Sequence, residues 1–211
     1  MTVRFVVYSD YLCPWCFNAF VRLGMLEQEY GSEVEIEWKS YLLRPEPRRP
    51  DLDGSALEKF RRYTRSWERP GSEPDSGEFR VWATDESPPS HSMPPQRAAK
   101  AAARFGAPFF RSFQRSLFRA YFSENRDISS LEHLKACWEE AELPEESFDD
   151  VNAPELEQRV REDHREALEC GSTGVPGVRL FDNPAIVVGA QPLALYRRWV
   201  DRQLSRSARP N

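Results

Sequence analysis

The sequence predicts an α/β fold in which a βαβ unit and a ββα ending are separated by a large all-helical insertion. Three observations support this prediction. An apolar run, a segment with helical spacing and an alternating strand follow one another within residues 3–39. Helical patterns then dominate from Pro94 to about Cys170. Two short apolar strands and an amphipathic helix follow between Val178 and Leu204, so the β elements lie at the two ends of the chain.

The first unit begins with the almost continuously apolar run from Val3 to Tyr8, as expected of a central strand that is covered on both faces. Apolar residues then recur at helical spacing until Gly31, which is a candidate C-cap. Residues 34–39 alternate between apolar and polar side chains, which predicts a half-buried strand. Because a helix connects the two strands, we expect the strands to be parallel.

The middle of the chain has a different composition. We predict an inserted helical domain with a proline-rich lead-in at residues 44–171, between two parts of an α/β domain at residues 1–43 and 172–211. Nine of the 17 prolines lie within residues 44–95. The stretch from residue 70 to residue 90 reads as a long irregular loop, which in a compact protein is either mobile or functional.

Capping boxes mark the start of two helices in this insertion. Ser55 with Glu58 fits the pattern in which a serine hydroxyl and a glutamate three residues later cap each other's backbone N–H groups. Ser129 with Glu132 fits the same pattern. After the insertion, residues 182–184 form a strong turn signal between the two last strands.

The composition excludes several functional classes. The chain has 211 residues, a net charge of −5 and a pI near 5.4, so no basic field favours nucleic-acid binding. No apolar segment approaches the roughly 20 residues that span a bilayer, so we expect no membrane partner. The N-terminus has no secretory-signal pattern, and a cytoplasmic location is expected. In a reducing compartment four cysteines do not form a disulfide framework.

The motif Cys13-Pro14-Trp15-Cys16 follows the first strand directly and leads into the first helix. This motif has three interpretations: two buried cysteines spaced by chance, a zinc half-site or a redox pair. A zinc site needs two further ligands. The other cysteines are isolated and the three histidines show no paired spacing, so neither a metal nor a separate cofactor is expected. The redox interpretation is favoured, with a disulfide between the two cysteines as the working group.

The position of each cysteine predicts its role. Cys13 lies nearer the strand end, so we expect an exposed nucleophile whose thiolate is favoured by the helix N-terminus. Cys16 lies one turn into the helix and is expected to be the more buried, resolving thiol. The Cys13 thiolate would attack a disulfide, and Cys16 would release the resulting mixed disulfide. Pro14 and Trp15 shape the site between them.

One peptide bond, two cysteines and one histidine outside this motif have an ordinary interpretation beside a functional one. The Val175–Pro176 bond precedes the third strand, either as an ordinary turn or as a cis bond that exposes the Val175 backbone to an extended substrate. Cys137 lies in a helical pattern and is expected to be buried and inert, and Cys170 is expected to be structural. His91 precedes a helix, where a solvent-facing or capping role competes with a place on the rim of the active site.

Three motifs together resemble the DsbA-like branch of the thioredoxin superfamily, specifically its FrnE-type proteins. The first is residues 7–10 leading into the cysteine motif, the second is residues 120–129, and the third is Gly174-Val175-Pro176 followed by residues 188–192. The resemblance covers nearly the whole chain. It implies a thioredoxin fold, with the helical insertion as a lid over the cysteines and Pro176 as a cis-proline that faces Cys13.

The resemblance also implies an activity. Members are thiol–disulfide oxidoreductases, some with disulfide isomerase activity, that act on protein or low-molecular-weight disulfides. Ser9, Tyr11 and His91 are candidates for substrate contact. The family usually has an Asn-Ser/Thr pair and an Ala-His-Arg triplet near the insertion's first helix, but this chain has His91-Ser92 and Pro95-Gln96-Arg97. Those polar residues cannot be carried over. After Pro176, Gly177 and Val178 replace the commoner small polar and aromatic residues, so substrate preference is open.

Two alternatives remain from the sequence. Kappa-class glutathione transferases and hydroxychromene-carboxylate isomerases are similar in architecture, but they typically have serine where Cys13 stands and lack the second cysteine. The presence of both Cys13 and Cys16 favours redox chemistry, with glutathione as a candidate co-substrate. The second alternative is a non-catalytic binding module that uses the groove between the lid and the thioredoxin core. The sequence gives no oligomeric state.

Overall fold

A four-stranded sheet lies at the centre of the protein, of which the computed structural model describes residues 2–49, 51 and 54–207. The strands are β1 (Val3–Ser9), β2 (Val34–Ser40), β3 (Gly177–Leu180) and β4 (Val187–Val188). Their order is β2-β1-β3-β4. β1 and β2 are parallel, which confirms the prediction, whereas β3 is antiparallel to β1 and to β4. This is the thioredoxin fold that the resemblance implies.

Helices cover both faces of the sheet, which explains why β1 is apolar on both sides. The helices are α1 (Pro14–Tyr30), α7 (Pro154–Glu169) and α8 (Leu193–Ser207). Phe5 and Val7 pack on the face that carries α1 and α8. Val6 and Tyr8 point to the opposite face, which carries α7. As predicted, α1 ends at Gly31, whose φ of 55° is a backbone conformation that glycine adopts readily.

The closing hairpin is shorter than the sequence predicts. β4 has only two residues, whereas the apolar pattern predicts a strand from residue 185. The turn extends further because the Asn183 side chain accepts a hydrogen bond from the Ala185 N–H at 2.9 Å. Pro184 between them has no N–H to donate, so strand pairing begins only at Val187.

The insertion contains the helices that the sequence predicts, but neither predicted capping box forms. The helices before α7 are α2 (Ala56–Thr64), α3 (Glu68–Gly71), α4 (Met93–Ala102), α5 (Ala107–Phe122) and α6 (Leu131–Glu140). At α2 the Asp51 carboxylate accepts the Ala56 N–H, and Ser55 makes no side-chain cap bond. At α6 the Ser129 hydroxyl donates to Asp127 instead. Carboxylates in the lead-in turns are the stronger acceptors.

The proline-rich loop between α3 and α4 is packed into the protein. Trp82 is only 1% exposed, and its backbone N–H donates to the Thr64 hydroxyl at 3.0 Å. Gly77 approaches α1 so closely that a Cβ there would lie 2.2 Å from the Phe17 ring. The structure therefore gives this loop a packing role. Within the described part of the chain, every helix is too short or too polar to cross a bilayer.

The insertion and the thioredoxin-like part share one hydrophobic cluster. Phe118 of α5 is fully buried, and its ring centroid lies 5.1 Å from that of Phe17 and 5.4 Å from that of Phe20. An ion pair connects α1 to the proline-rich loop, because the buried Arg22 of α1 donates to the half-buried Asp75 at 2.8 Å. The predicted domain ranges stay a prediction, but the packing between the parts is continuous.

Candidate active site

The two cysteines of the Cys13-Pro14-Trp15-Cys16 motif lie at the N-terminus of α1. Cys13 is the N-cap residue, with φ −100° and ψ 118°, and the helix begins at Pro14. Proline suits this first position because its φ is already helical and its missing N–H would have no partner in the helix. The Cys16 N–H donates to the Cys13 carbonyl at 3.0 Å, so one helical turn separates the two thiols. A negative charge at Cys13 would face the positive end of the helix dipole.

The two thiols differ in burial, but less than the sequence predicts. Cys16 has no exposed surface, which confirms that it is the more buried of the two. The expectation of an exposed Cys13 is wrong, because Cys13 is only 6% exposed. It lies under the segment that leads into β3, where the Val175 carbonyl accepts a hydrogen bond from the Cys13 thiol at 3.4 Å. The cysteines of the described chain are all free thiols.

The segment that covers Cys13 contains the cis bond that the resemblance implies. The Val175–Pro176 peptide bond is cis. The Pro176 carbonyl accepts the Gly189 N–H at 2.8 Å, which joins this segment to the end of the β3–β4 hairpin. The Val175 carbonyl thus faces the Cys13 thiol, and the hydrogen bond from Gly189 holds Pro176 against the hairpin.

Cys16 lies in an apolar pocket with two polar neighbours. Burial raises the pKa of the Cys16 thiol well above its ordinary value, and a hydrogen bond with Cys13 adds to the rise. Hydrogen bonds from the Ser9 side chain and the Asp10 backbone act in the opposite direction. At neutral pH Cys16 is therefore a neutral thiol. Ser9 is buried beside it, and the predicted contact of Ser9 with substrate stays a prediction.

The two residues between the cysteines are the more exposed part of the motif. Pro14 and Trp15 are both half-buried, and the Arg69 guanidinium of α3 lies 5.9 Å from the centre of the Trp15 ring. Tyr11, by contrast, is 5% exposed and packs its ring 5.1 Å from that of Phe118. Its predicted contact with substrate also stays a prediction.

Asp10 is a buried carboxylate that the sequence prediction did not include. It has no exposed surface, and its oxygens accept the Leu12 N–H at 2.8 Å and the Leu43 N–H at 2.7 Å. Burial raises the pKa of Asp10 to about 6, although these bonds, the Ser92 hydroxyl and the Arg44 charge oppose the rise. The carboxylate fixes the backbone that leads to Cys13. Its sequence signal was an acidic residue directly after a largely apolar strand.

Gln96 is a second residue whose role the sequence did not predict. Its side-chain amide donates to the Ser9 carbonyl at 2.8 Å and to the Tyr41 carbonyl at 3.2 Å. It is 3% exposed and belongs to α4. It therefore connects the insertion to the ends of the two parallel strands. Gln96 stands in the triplet where the resemblance departs from the family pattern, and this departure was the signal.

His91 lies in the loop before α4. Its Nδ1 lies 2.6 Å from the Ser90 hydroxyl, and burial together with the Arg97 charge lowers its pKa. Among the described residues, no hydrogen bond connects His91 to Cys13 or Cys16. The structure thus does not bring it together with the cysteines, and its predicted contact with substrate stays a prediction.

The other two cysteines lie in different surroundings. Cys137 is fully buried in α6, and burial raises its pKa to about 12, which fits the predicted inert role. Cys170 is half-buried at the end of α7, with its sulfur 3.7 Å from the Tyr8 hydroxyl. Over residues 2–49, 51 and 54–207, no group of three or more His, Cys, Asp or Glu side chains is arranged to hold a metal ion.

Comparison with known proteins gives a family match over most of the chain. The model described as DSBA-like thioredoxin domain matches residues 4–69 and 82–200. The uncharacterized protein YwbO of Bacillus subtilis (strain 168) is 30% identical over 198 residues, which cover 90% of this chain and 92% of YwbO.

Solved structures show the same fold. A putative protein disulfide isomerase from Nitrosomonas europaea has a TM-score of 0.81 at 18% identity, covering 98% of this chain and 99% of that one. The cytosolic disulfide reductase DsbM from Pseudomonas aeruginosa has a TM-score of 0.75 at 20% identity, over 96% and 98%. DsbM was also solved with GSH. A 2-hydroxychromene-2-carboxylate isomerase has a TM-score of 0.64 at 20% identity, over 97% and 98%.

Proposed function

Because the chain belongs to the DSBA-like thioredoxin domain family, we propose that it is a thiol–disulfide oxidoreductase whose redox centre is Cys13 and Cys16. The observation that carries this proposal is the arrangement of the two thiols. Cys13 is the N-cap of α1 and faces the Val175 carbonyl at 3.4 Å, and Cys16 lies one turn further in and is fully buried. This arrangement supports Cys13 as the attacking thiol and Cys16 as the releasing thiol.

The first step is attack on a substrate disulfide. The Cys13 thiolate attacks one sulfur, a Cys13–substrate disulfide forms, the substrate S–S bond breaks, and the second sulfur leaves as a thiolate. The helix dipole supports the thiolate before attack. An extended substrate would pair with the Val175 backbone, which already presents its carbonyl next to the Cys13 sulfur.

The second step is release by Cys16. Its thiol loses a proton and attacks the Cys13 sulfur, which forms the Cys13–Cys16 disulfide and expels the bound half of the substrate as a thiolate. Two electrons have then moved from the dithiol to the substrate, and the reverse sequence oxidises a substrate dithiol. The Ser9 side chain and the Asp10 backbone, which favour the charged form of Cys16, would support its deprotonation in this step.

The protein's subfamily, substrates and cellular location are part of the same proposal. The three motifs support a FrnE-type protein that acts on protein or low-molecular-weight disulfides, with disulfide isomerisation as a further activity. A cytoplasmic location is proposed from the free cysteines, and the similarly folded cytosolic disulfide reductase DsbM supports it. The structure of DsbM with GSH supports glutathione as a co-substrate here.

Trapping the mixed disulfide tests the proposal. Reduced Cys16→Ala protein is mixed with a small disulfide, and mass spectrometry of peptides should place one substrate half on Cys13. Cys13→Ser should lower the rate of disulfide reduction by at least about 10³-fold, because the attacking nucleophile is lost. Cys137→Ser, a matched buried cysteine, should leave the rate unchanged. An adduct on Cys170 instead, or a Cys13→Ser rate equal to that of the wild type, would refute the proposal.

A second candidate is a glutathione-dependent transferase or isomerase. The likeness to 2-hydroxychromene-2-carboxylate isomerase and to DsbM with GSH favours it. This function needs one activated sulfur site and no resolving thiol. It therefore predicts that turnover with reduced glutathione survives Cys16→Ala, whereas the redox proposal predicts that multiple turnover is lost in the same variant.

A further inference from the structure

A cavity of about 430 Å³ lies between the cysteine motif and the helical insertion. Its size is within the range of small-molecule sites, about 300–1,000 Å³. Leu12, the residue before Cys13, forms part of its wall. Tyr63 lies on the insertion side and is 54% exposed. Burial raises the pKa of Tyr63, and a charge on Cys13 adds to the rise.

Two arginines line the cavity, and each is held in place by uncharged groups. The Arg48 Nε donates to the Pro89 carbonyl at 3.0 Å, and its guanidinium lies 5.4 Å from the centre of the Phe60 ring. The Arg44 backbone exchanges two hydrogen bonds with Ser92, at 3.0 Å from its N–H and at 2.9 Å to its carbonyl. The Arg48 guanidinium is thus fixed at the cavity wall, and Arg44 lines the same wall with its backbone held in place.

Two carboxylates act electrostatically on these arginines, Asp10 on Arg44 and Asp127 on Arg48. Within the described residues, no carboxylate forms an ion pair with Arg44 or Arg48. Burial lowers the pKa of Arg48, and the repulsion from Arg44 lowers it further. Tyr121 also lines the cavity, with its ring buried and its hydroxyl without a hydrogen bond among the described residues. Two like charges that share a cavity with an unpaired hydroxyl favour an anionic occupant.

We propose that the cavity lined by Arg44, Arg48 and Tyr121 binds the carboxylate end of an anionic thiol or disulfide and brings its sulfur to Cys13. Arginine binds carboxylates through paired N–H groups, and the tyrosine hydroxyl supplies a third donor. This substrate selectivity rests on the proposed redox function. The reaction is the exchange written above, so the two electrons come from the Cys13–Cys16 dithiol and the reduced substrate leaves as two thiols.

Three disulfides of different charge test the selectivity. Reduced protein is mixed with anionic oxidised glutathione, neutral bis(2-hydroxyethyl) disulfide or cationic cystamine, and the second-order rate of dithiol oxidation is measured by tryptophan fluorescence. The rates should fall in that order. In Arg44→Gln/Arg48→Gln, the rate with oxidised glutathione should fall about tenfold relative to the neutral disulfide, and the preference over cystamine should disappear.

Matched variants separate charge at the cavity from charge elsewhere. Arg115→Gln removes an exposed arginine on α5 and should keep the wild-type preference. Arg44→Lys/Arg48→Lys keeps both charges and should keep part of the preference even if the glutamine variant proves unstable. Added salt should reduce the preference in the wild type, because exposed parts of the charge interaction are screened. Equal rates with the three disulfides, or a preference that survives Arg44→Gln/Arg48→Gln, would overturn the proposal.

A binding measurement separates this proposal from the redox function. S-methylglutathione carries the same carboxylates but no reactive sulfur, so calorimetry with it reports the cavity alone. Binding that weakens about tenfold in Arg44→Gln/Arg48→Gln supports the anionic subsite even if no disulfide is turned over, in which case the redox proposal fails instead. A peptide disulfide flanked by glutamates tests whether the bound carboxylates belong to a protein or to a small molecule. Reaction with this peptide but not with oxidised glutathione would assign them to proteins. No binding together with no preference overturns the proposal.

Discussion

The cysteine turn, residues 9–16, and the insertion wall that faces it, formed by α2, α4 and α5, are held by different forces. The cysteine turn is fixed by backbone bonds, such as the Cys13 N–H to the Asp10 carbonyl at 3.1 Å, and by near-complete burial of both thiols. The insertion wall presents side chains, and beside it Arg48, in the loop after β2, is positioned by the Phe60 ring and the Pro89 carbonyl.

This difference indicates where chemistry and selectivity can change independently. A cysteine pair set by backbone geometry tolerates little variation around it, because each backbone bond constrains the next. Side chains on a helical wall can be exchanged without moving the thiols. The two regions nevertheless meet in one buried cluster. Substitutions in this cluster should therefore affect both regions, and their effect on stability can be measured.

The largest expected effect comes from removing the ring at which the two regions meet. Phe118→Ala should lower the free energy of unfolding by about 3–5 kcal/mol, because a fully buried aromatic side chain leaves a cavity against α1. Urea unfolding followed by circular dichroism measures this loss. Phe109→Ala on the same helix removes a phenylalanine that is 39% exposed and should cost far less. Equal losses would mean that α5 does not support the cysteine turn through Phe118.

A smaller change in the free energy of unfolding is expected from Asp10, the carboxylate of the cysteine turn, and this change should depend on pH. The pKa of Asp10 is about 6 in the folded protein and 3.8 ordinarily, so between these values the folded state holds a proton that the unfolded state has lost. The contribution of Asp10 to the free energy of unfolding is therefore full below its ordinary pKa and is lost as the pH rises through 6.

Asp10→Asn should remove this dependence. The free energy of unfolding of the wild type, relative to the variant, should increase by about 2–3 kcal/mol as the pH is lowered from 7 to 4. Chemical denaturation at a series of pH values measures the difference. Asp182→Asn, at an exposed position in the last hairpin, is the matched control and should show no such trend. A flat difference for Asp10→Asn would mean that its carboxyl is not desolvated.

The smallest of these effects concerns the residue that links the regions. Gln96→Ala removes the two hydrogen bonds to the Ser9 and Tyr41 carbonyls and should lower the free energy of unfolding by about 1–3 kcal/mol. The Tyr41 carbonyl loses this donor, and the Ser9 carbonyl retains the bond from the Tyr41 N–H. Gln158→Ala removes an exposed glutamine that bonds Glu162, and it should change stability by less than about 0.5 kcal/mol. If both variants unfold alike, Gln96 does not connect the insertion to the sheet.

The fold was largely predictable because its signals are local. Apolar runs, Gly31 and the helical periods each depend on a few neighbouring residues, and the parallel pairing of β1 and β2 follows from the crossover helix. Capping at Ser55 and Ser129 was not predictable, because nearby carboxylates compete for the same donors. The packing of the proline-rich loop depends on Trp82 meeting Thr64, which a local pattern does not contain.

The candidate site was predictable in its sequence motif and less so in its surroundings. Spacing identified Cys13 and Cys16, but the burial of Cys13 depends on Val175, which is 162 residues away in the chain. Asp10 and Gln96 acquire their roles from backbone groups of other elements. The arginines of the cavity are separated by three residues, and only the fold shows that they line the same space.

The close approach of Gly77 to Phe17 has a consequence for how this chain evolves. A Cβ at position 77 would lie 2.2 Å from a ring carbon of Phe17, and that ring packs 7° from parallel on Phe118. Neither residue is therefore free to change alone. Among relatives, a side chain larger than hydrogen at position 77 should occur together with a smaller residue at position 17. A loop 60 residues downstream thus limits which residue can follow the second cysteine.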